Sequence, residues 1–214
     1  MRSDIANHLG AATREVAARE REGRPARAVV ATRTFDTTPD DVWDALTSPE
    51  RIPRWFLPVS GELRLGGRFQ LKGNAGGSIT HCDPPRHLAV TWEFGGEVSW
   101  VEVRLDEAPG GGTRLVLEHV AHVDDDRWGQ FGPGAVGVGW DLALHGLAGH
   151  LGSAAAVDPS EAEAWVASDE GKAFLRASSE GWRRAAIASG DDPAAATAAA
   201  ARTFAFYGGE PPAP

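Results

Sequence analysis

Residues 136–151 carry apolar side chains at the spacing of an amphipathic helix. On a helix these side chains form one stripe, made of Val136, Trp140, Ala143, Leu144, Leu147 and Leu151. Upstream, residues 28–120 alternate apolar and polar side chains in short segments separated by Gly and Pro turns, a pattern typical of antiparallel strands. We therefore predict an α+β fold in which a curved antiparallel sheet wraps around the long helix and covers its stripe.

Turn residues and local periodicity give the order of the other elements before this helix. The predicted strands are 27–35, 59–65, 68–72, 78–82, 87–94, 98–106 and 113–120. Two short helices, 40–46 and 48–56, separate the first two strands, and residues 122–131 are predicted as an acidic loop. The charged residues 4–22 are predicted as a peripheral helix that ends at Gly23.

After Gly152 the composition changes to Ala, Ser and Glu, which indicates a helical extension. Helices are predicted over 159–166, 168–189 and 192–208, and a disordered tail after them. The second of these helices has Ser168 as its N-cap, with Phe174, Leu175 and Trp182 as its apolar points. The chain thus divides into an N-terminal helix, 1–24, a central domain, 25–152, and the C-terminal extension, 153–214.

The side of the long helix opposite its stripe carries Val138, Leu142, Gly146 and Gly149. Because glycine has no side chain, another helix can approach closely there. We predict that the C-terminal extension packs on this side.

Composition and charge exclude several classes of protein. Nucleic acids and anionic membranes carry phosphate groups, which proteins bind with clustered Lys and Arg. The formal net charge of -9 therefore argues against both as partners. The single cysteine, Cys82, excludes an internal disulfide and favours a reducing, cytoplasmic location. The sequence shows neither the apolar run of a signal peptide at its start nor a stretch long enough to span a bilayer.

Five segments together resemble the SRPBCC superfamily, whose START-like members share the helix-grip fold. They read VWDALTSPERIPRWF, LRLGGRF, DPPRHLAVTWEF, GGGTRLVLEHV and GWDLALHGLAGHL. Within this superfamily the chain resembles the branch named after the activator of the heat-shock-protein-90 ATPase. It is similar to bacterial members that carry a C-terminal helical extension. The resemblance covers residues 27–151. It implies a cavity between sheet and helix for an apolar or amphipathic small molecule, and no single reaction.

Aromatic side chains are the main candidates for lining this cavity, and Trp is frequent, with eight in the chain against one Tyr. The candidates are Trp43, Trp55, Phe56, Phe69, Trp92, Trp128, Phe131 and Trp140. Core packing explains any one of them more simply. As a set they favour a ligand pocket, because Trp55, Phe56, Trp128 and Phe131 lie in connecting segments that a core need not fill.

Two polar residues share strand faces with apolar ones and are candidate ligand anchors. His119 lies on the face of Leu115 and Leu117, where it is either a core histidine satisfied by the backbone or a hydrogen-bonding group for a ligand oxygen. Arg33 lies on the face of Val29 and could pair with a ligand carboxylate, although a solvent-exposed arginine or a structural ion pair explains it more simply.

The sequence predicts neither a metal site nor a cofactor site. His81, Cys82 and His87 lack the spacing of a zinc signature, and residues 124–126 lack the glycine and glutamate of a calcium loop. Residues 132–137, GPGAVG, match the dinucleotide fingerprint in letters but follow an acidic loop instead of a strand.

The residues leave three functions open. The first is binding of an apolar or aromatic small molecule in the cavity, with a homodimer left open. The second is an enzyme of cyclase or hydrolase type that uses the same cavity, with His119 as acid or base. No sequence motif identifies a catalytic residue. The third is a co-chaperone-like interaction with a protein partner, which only the branch name suggests.

Overall fold

A computed structural model describes residues 11–153 and 159–209. These residues form two compact units. Unit 1 comprises residues 11–31, 122–142 and 159–209, and unit 2 comprises residues 32–121 and 143–153. The predicted helix over residues 4–10 and the predicted disorder of residues 210–214 lie outside the described part.

The element order confirms the predicted α+β helix-grip class. The strands are β1 Ala12–Arg21, β2 Arg24–Phe35, β3 Val59–Gly61, β4 Arg68–Leu71, β5 Gly76–Asp83, β6 His87–Phe94, β7 Glu97–Glu107 and β8 Thr113–His122. The helices are α1 Pro39–Thr47, α2 Asp125–Phe131, α3 Gly134–Ser153, α4 Pro159–Ala167, α5 Asp169–Ala188 and α6 Pro193–Gly208, with a 3₁₀ turn at Ile52–Arg54. The strands form one sheet in the order β1-β2-β8-β7-β6-β5-β4-β3.

The predicted N-terminal helix is wrong from residue 12 onward, because this segment is strand β1. Glu22 and Gly23 have φ angles of 53° and 70°, the left-handed conformation at both central residues of a two-residue hairpin turn. The turn brings β1 beside β2, and Ala12 and Val16 become buried. The charged run of Arg and Glu has high helix propensity, but strand pairing overrides that local preference.

The predicted acidic loop is also wrong in part, because residues 125–131 form helix α2. The Asp124 side chain caps it by accepting a hydrogen bond from the Arg127 backbone N–H at 3.0 Å. Asp125 and Asp126 occupy the first turn, where negative charge is favourable beside the positive end of the helix dipole. The aspartates that resemble a loop in the sequence therefore form the start of a helix.

Unit 1 has a core built on α5, and this confirms the predicted apolar points of that helix. Ser168 caps α5 by accepting from the Gly171 N–H at 3.1 Å, and Phe174, Leu175 and Trp182 are at most 1% exposed. Asp192 caps α6 in the same way, by accepting from the Ala195 N–H. Both helices begin within one residue of the predicted starts, 168 and 192.

Glycines on α3 do allow the C-terminal helices to approach, but at other positions than predicted. A Cβ on Gly137 would lie 2.2 Å from the Trp182 ring, and one on Gly134 would lie 2.9 Å from Thr203. Gly146 instead faces the Trp55 carbonyl oxygen, and Gly149 has no atom within 4 Å of the place its Cβ would take. The prediction failed for these two because the helix passes from unit 1 to unit 2 between residues 142 and 143.

Unit 2 contains strands β3–β7, most of β8, α1 and the last part of α3. Thr38 caps α1, with Pro39 at its first position. Strands β3 to β8 pair antiparallel throughout. Of the predicted stripe of α3, Ala143, Leu144 and Leu147 are buried in this unit and Leu151 is half-buried.

Gly146 and Gly149 lie on the same helix and provide a matched pair of substitutions. We expect Gly146→Ala to lower the free energy of unfolding by about 1–3 kcal/mol, because the new Cβ would lie 2.5 Å from the Trp55 carbonyl oxygen. Gly149→Ala is expected to raise it by up to about 1 kcal/mol through helix propensity alone. Urea unfolding followed by circular dichroism measures both, and equal changes would show that Trp55 does not lie against this helix.

Candidate functional site

One face of the sheet in unit 2 is apolar, and we call it the inner face. Register pairs place its members opposite one another on β6, β7 and β8, as in Val90–Val101 and Val101–His119. The inner face consists of Leu88, Val90, Trp92, Ser99, Val101, Val103, Leu105, Leu115, Leu117 and His119. It is closed on β7 and β8, where Val101, Val103, Leu115 and Leu117 are buried, and more open on β6.

The apolar side chains of the inner face on β6 are only half-buried, unlike those on β7 and β8. Leu88, Val90 and Trp92 all have intermediate exposure, and so does Phe69 on β4. The rings of Phe69 and Trp92 lie 6.3 Å apart at a 47° angle, close enough for an aromatic contact. This part of the inner face therefore offers apolar surface that the unit itself does not fully cover.

His119 is buried at the edge of this surface and has a polar partner on the neighbouring strand. Its Nε2 lies 2.8 Å from Ser99 Oγ, and its ring makes an edge contact with Trp92 at 6.1 Å. Burial lowers the pKa of His119 from its ordinary 6.5 to about 4, so the ring is neutral at pH 7. The bond to Ser99 satisfies His119 on an otherwise apolar face.

The buried neutral ring predicts a specific pH dependence of stability. Between pH 6.5 and about 4 the unfolded chain binds a proton at His119 that the folded chain does not, so stability falls as the pH falls through this window. The full shift corresponds to about 3 kcal/mol. We expect urea unfolding at pH 7 and pH 4 to show this loss in the wild type, and a smaller one in His119→Gln, which keeps an N–H donor for Ser99. The same loss in both proteins would mean that His119 is not buried as a neutral ring.

Trp43, Trp55 and Phe56 lie on and after helix α1, all half-buried in unit 2. The Trp55 indole N–H donates to the Ala45 carbonyl oxygen at 2.9 Å, and its ring stacks on Phe56 at 5.4 Å. The Trp55 carbonyl lies against α3 at Gly146. The segment after α1 is thereby fixed beside the last part of α3, with aromatic side chains on it.

Arg33 is buried on β2, so the solvent-exposed arginine, one of the two simpler explanations from the sequence, is wrong. Its guanidinium donates to the Leu144 carbonyl oxygen of α3 at 3.3 Å and lies 5.5 Å from the centre of the Phe35 ring. These contacts attach the helix to the sheet within unit 2. A role toward a ligand carboxylate stays a prediction.

The other three predicted aromatic residues belong to unit 1. The Trp128 indole donates to Asp191 at 2.7 Å and lies under the Arg27 guanidinium. Phe131 contacts Phe206, and its carbonyl oxygen accepts from Thr203. Trp140 is half-buried on α3. Seven of the ten predicted site residues belong to unit 2, namely Arg33, Trp43, Trp55, Phe56, Phe69, Trp92 and His119.

A polar network that the sequence did not predict joins α1 to the end of α3. Arg51 donates to the Asp41 and Asp44 carboxylates at 2.7 and 2.9 Å, and its Nε donates to His150 Nε2 at 3.2 Å. Partial burial opposes ionisation of Asp41, but the hydrogen bonds from Arg51 and Thr37 outweigh it and hold the pKa of Asp41 below its usual value. Arg51 lies ten residues after Asp41, a separation that does not correspond to a contact within one helix or strand, so nothing in the sequence indicated this ion pair.

The histidines near Cys82 form a contact that their spacing did not predict. The rings of His81 and His87 lie 4.2 Å apart, and His87 Nε2 lies 3.3 Å from Glu102. Among the described residues, no group of three or more His, Cys, Asp or Glu side chains is placed to hold a metal ion. Over that same part of the chain, no helix has the length and apolarity to cross a membrane.

The profile of one protein family, described as Activator of Hsp90 ATPase homolog 1-like protein, matches residues 36–152, more than half of the chain. CalU16 from Micromonospora echinospora is 35% identical in its crystal structure, with a TM-score of 0.65 over 85% of this chain and 99% of CalU16. Its solution structure gives 34% identity and a TM-score of 0.68 over 84% and 97% of the two chains.

Two more distant relatives extend the comparison. MLL2253 from Mesorhizobium loti shows the same fold at 24% identity, with a TM-score of 0.52 over 59% of this chain and 97% of its own. The activator of 90 kDa heat shock protein ATPase homolog 1 from Mus musculus is 32% identical over 71 residues, which are 32% of this chain and 20% of the mouse protein. The chain therefore matches only a fifth of the length of that relative.

Proposed function

We propose that this chain, which belongs to the family of Activator of Hsp90 ATPase homolog 1-like proteins, binds an apolar or aromatic small molecule on the inner face of unit 2. The bound molecule would lie against Phe69, Val90 and Trp92, where the sheet leaves apolar side chains half-buried. His119 would be its polar neighbour. The chemistry is that of a binding pocket, mostly apolar with few polar groups.

The single observation that carries this proposal is the incomplete burial of the inner face on β6 and of Phe69 on β4, whose ring contacts Trp92. On β7 and β8 the same face is buried to 7% exposure or less at Val101, Val103, Leu115 and Leu117. Burial of apolar surface stabilises a protein by about 25 cal/mol per Å². A half-covered aromatic pair such as Phe69 and Trp92 therefore leaves apolar surface that a ligand would remove from water.

The enzyme alternative has less support, because the group proposed for it is poorly suited to acid catalysis at neutral pH. A general acid or base works best when its pKa lies near the working pH, and burial lowers the pKa of His119 to about 4. A neutral ring held by Ser99 serves better as a hydrogen-bonding group than as a proton donor.

A role with a protein partner is the second candidate, and the match to the mouse activator favours it. That match covers a fifth of the mouse protein, so its activity does not transfer with the matched segment. Stimulation of a heat-shock-protein-90 ATPase by this chain would support the alternative. Absence of stimulation, together with binding of an apolar probe, would support the small-molecule proposal.

The proposal is tested with N-phenyl-1-naphthylamine, an apolar probe that fluoresces when it leaves water. We expect saturable binding with one site per chain, and a reduction of about 10-fold or more in affinity for Val90→Trp, whose larger side chain would occupy the open surface. Trp128→Ala is the control, because it changes an indole in unit 1.

Loss of affinity in Trp128→Ala but not in Val90→Trp would move the binding site away from the inner face. Absence of binding to the folded wild type would remove the proposal. Circular dichroism of all three proteins establishes that each is folded.

A further inference from the structure

Strand β1 is the outermost strand of the sheet, and within the described part of the chain it pairs only with β2. The two strands are joined by the two-residue turn at Glu22 and Gly23. In such a hairpin the backbone N–H and C=O of Arg21, the last residue before the turn, point to the partner strand, and direction then alternates along the strand. The backbone groups of the even-numbered residues from 12 to 20 therefore point away from β2. We call this side of β1 the outer edge.

Side chains of β1 itself reach two carbonyl groups of the outer edge. The Arg19 guanidinium donates to the Ala18 carbonyl oxygen at 3.0 Å, and the Arg14 guanidinium donates to that of Ala12 at 3.2 Å. Both acceptors are even-numbered, as the alternation requires. A carbonyl oxygen has two lone pairs, so each of them can also accept from the backbone N–H of a further strand.

The exposed side chains of β1 carry both signs of charge in a self-complementary order. Glu15 and Arg19 are exposed, share one face of the strand and lie two residues before and two residues after Ala17. Arg14, on the other face, is bound to Asp141 within unit 1. A second β1 that runs antiparallel with Ala17 opposite Ala17 would therefore place each Glu15 opposite an Arg19.

The register centred on Ala17 suits the side chains better than its neighbours do. A slip of two residues is the smallest that keeps outward-pointing backbone groups opposite one another. In one direction it places Glu15 opposite Ala17, so that the carboxylate has no opposite charge. In the other direction it places Arg21 opposite Glu15 but the apolar Val16 opposite the Glu20 carboxylate.

We propose that the outer edge of β1 is a self-association surface, on which two copies of this chain pair antiparallel about a two-fold axis at Ala17 and join their sheets. Backbone hydrogen bonds between the two edges hold the copies together, and the two Glu15–Arg19 pairs set the register. Charges of one sign protect a sheet edge from pairing, whereas these charges attract a second copy. The homodimer does not depend on the small-molecule site of unit 2.

Sedimentation equilibrium of the full-length protein at micromolar concentrations tests the proposal. We expect the wild type to form a reversible dimer. Glu15→Arg and Arg19→Glu are each expected to raise its dissociation constant by about 10-fold or more, because each variant sets like charges opposite one another. Glu107→Arg is the control, since it makes the same change of charge as Glu15→Arg at an exposed position at the end of β7 in unit 2.

The two charge variants also test each other. When a Glu15→Arg copy meets an Arg19→Glu copy, opposite charges face one another at both positions again. The mixture is therefore expected to form a heterodimer under conditions in which each variant alone is a monomer. The double variant is expected to dimerise about as well as the wild type. Failure of both the mixture and the double variant to dimerise would overturn the assigned register.

Ala18→Pro tests the backbone pairing without a change of charge. The Ala18 N–H lies on the outer edge, so proline there removes a donor to the second copy and none to β2. We expect a folded monomer by circular dichroism and sedimentation. A wild type that is monomeric throughout, or a dimer that neither Ala18→Pro nor the charge variants weaken, would overturn the proposal, the latter by moving the contact to another surface.

Discussion

Asp141→Ala is expected to lower the free energy of unfolding of unit 1 by about 3–5 kcal/mol. The Asp141 side chain is almost fully buried, and one of its oxygens, Oδ2, accepts from Arg14 Nε at 2.8 Å, from Ser178 Oγ at 2.5 Å and from the Trp182 indole at 3.0 Å. These donors come from β1 and α5. Removal of the carboxylate takes this charged acceptor from the buried Arg14 guanidinium and from the Ser178 and Trp182 donors.

Urea unfolding followed by circular dichroism measures this loss, with Asp126→Ala as the control. Asp126 is exposed on α2, and a surface substitution of this kind changes stability by about 0.5 kcal/mol or less. A loss below about 1 kcal/mol in Asp141→Ala would show that the carboxylate does not hold β1 and α5 on α3.

Trp182→Ala is expected to cost about 3–5 kcal/mol, because Trp182 is 1% exposed and its indole lies directly on the backbone of α3 at Gly137. Gly137→Val alone is expected to be destabilising too, since the new Cβ would lie 2.2 Å from the Trp182 ring. In the double variant the space left by the indole accommodates the valine. The two changes together should therefore cost clearly less than the sum of the single changes.

A double-mutant cycle of the four proteins measures this coupling. Strictly additive losses would show that Gly137 and Trp182 do not touch. Gly152→Val is the control for the general effect of valine in this helix, because Gly152 lies at the exposed end of α3 and a Cβ there would have no atom within 4 Å.

Elements defined by local periodicity could be predicted from the sequence. The strands β5 to β8 and the helix α3 have side-chain periods that are visible within ten residues. Helices α5 and α6 begin directly after their N-caps, Ser168 and Asp192, as residues of these types predict. Segment 12–21 failed because its neighbours in the sequence favour a helix, whereas its structure depends on β2.

The polar centres could not be predicted, because their partners are far apart in the sequence. Asp141 is the one acidic residue of the apolar helix α3. Its hydrogen-bond donors are far away in the sequence: Arg14 lies 127 residues before it, and Ser178 and Trp182 lie 37 and 41 residues after it. Ser99 did leave a signal: it continues the alternation of Val101 and Val103 two residues earlier, so a polar group on the inner face was visible. Its bond to His119 required the β7–β8 pairing.

The central claim, a small-molecule site on the inner face of unit 2, is tested most directly by the indole N–H signals in a ¹H–¹⁵N spectrum. N-phenyl-1-naphthylamine is titrated into ¹⁵N-labelled protein whose indole signals are assigned by single Trp→Phe variants. We expect the Trp92 signal to shift most and those of Trp55 and Trp43 less. The signals of Trp100 on the opposite sheet face and of Trp128, Trp165 and Trp182 in unit 1 should keep their positions. Shifts confined to the unit 1 signals, with Trp92 unchanged at saturation, would contradict the claim.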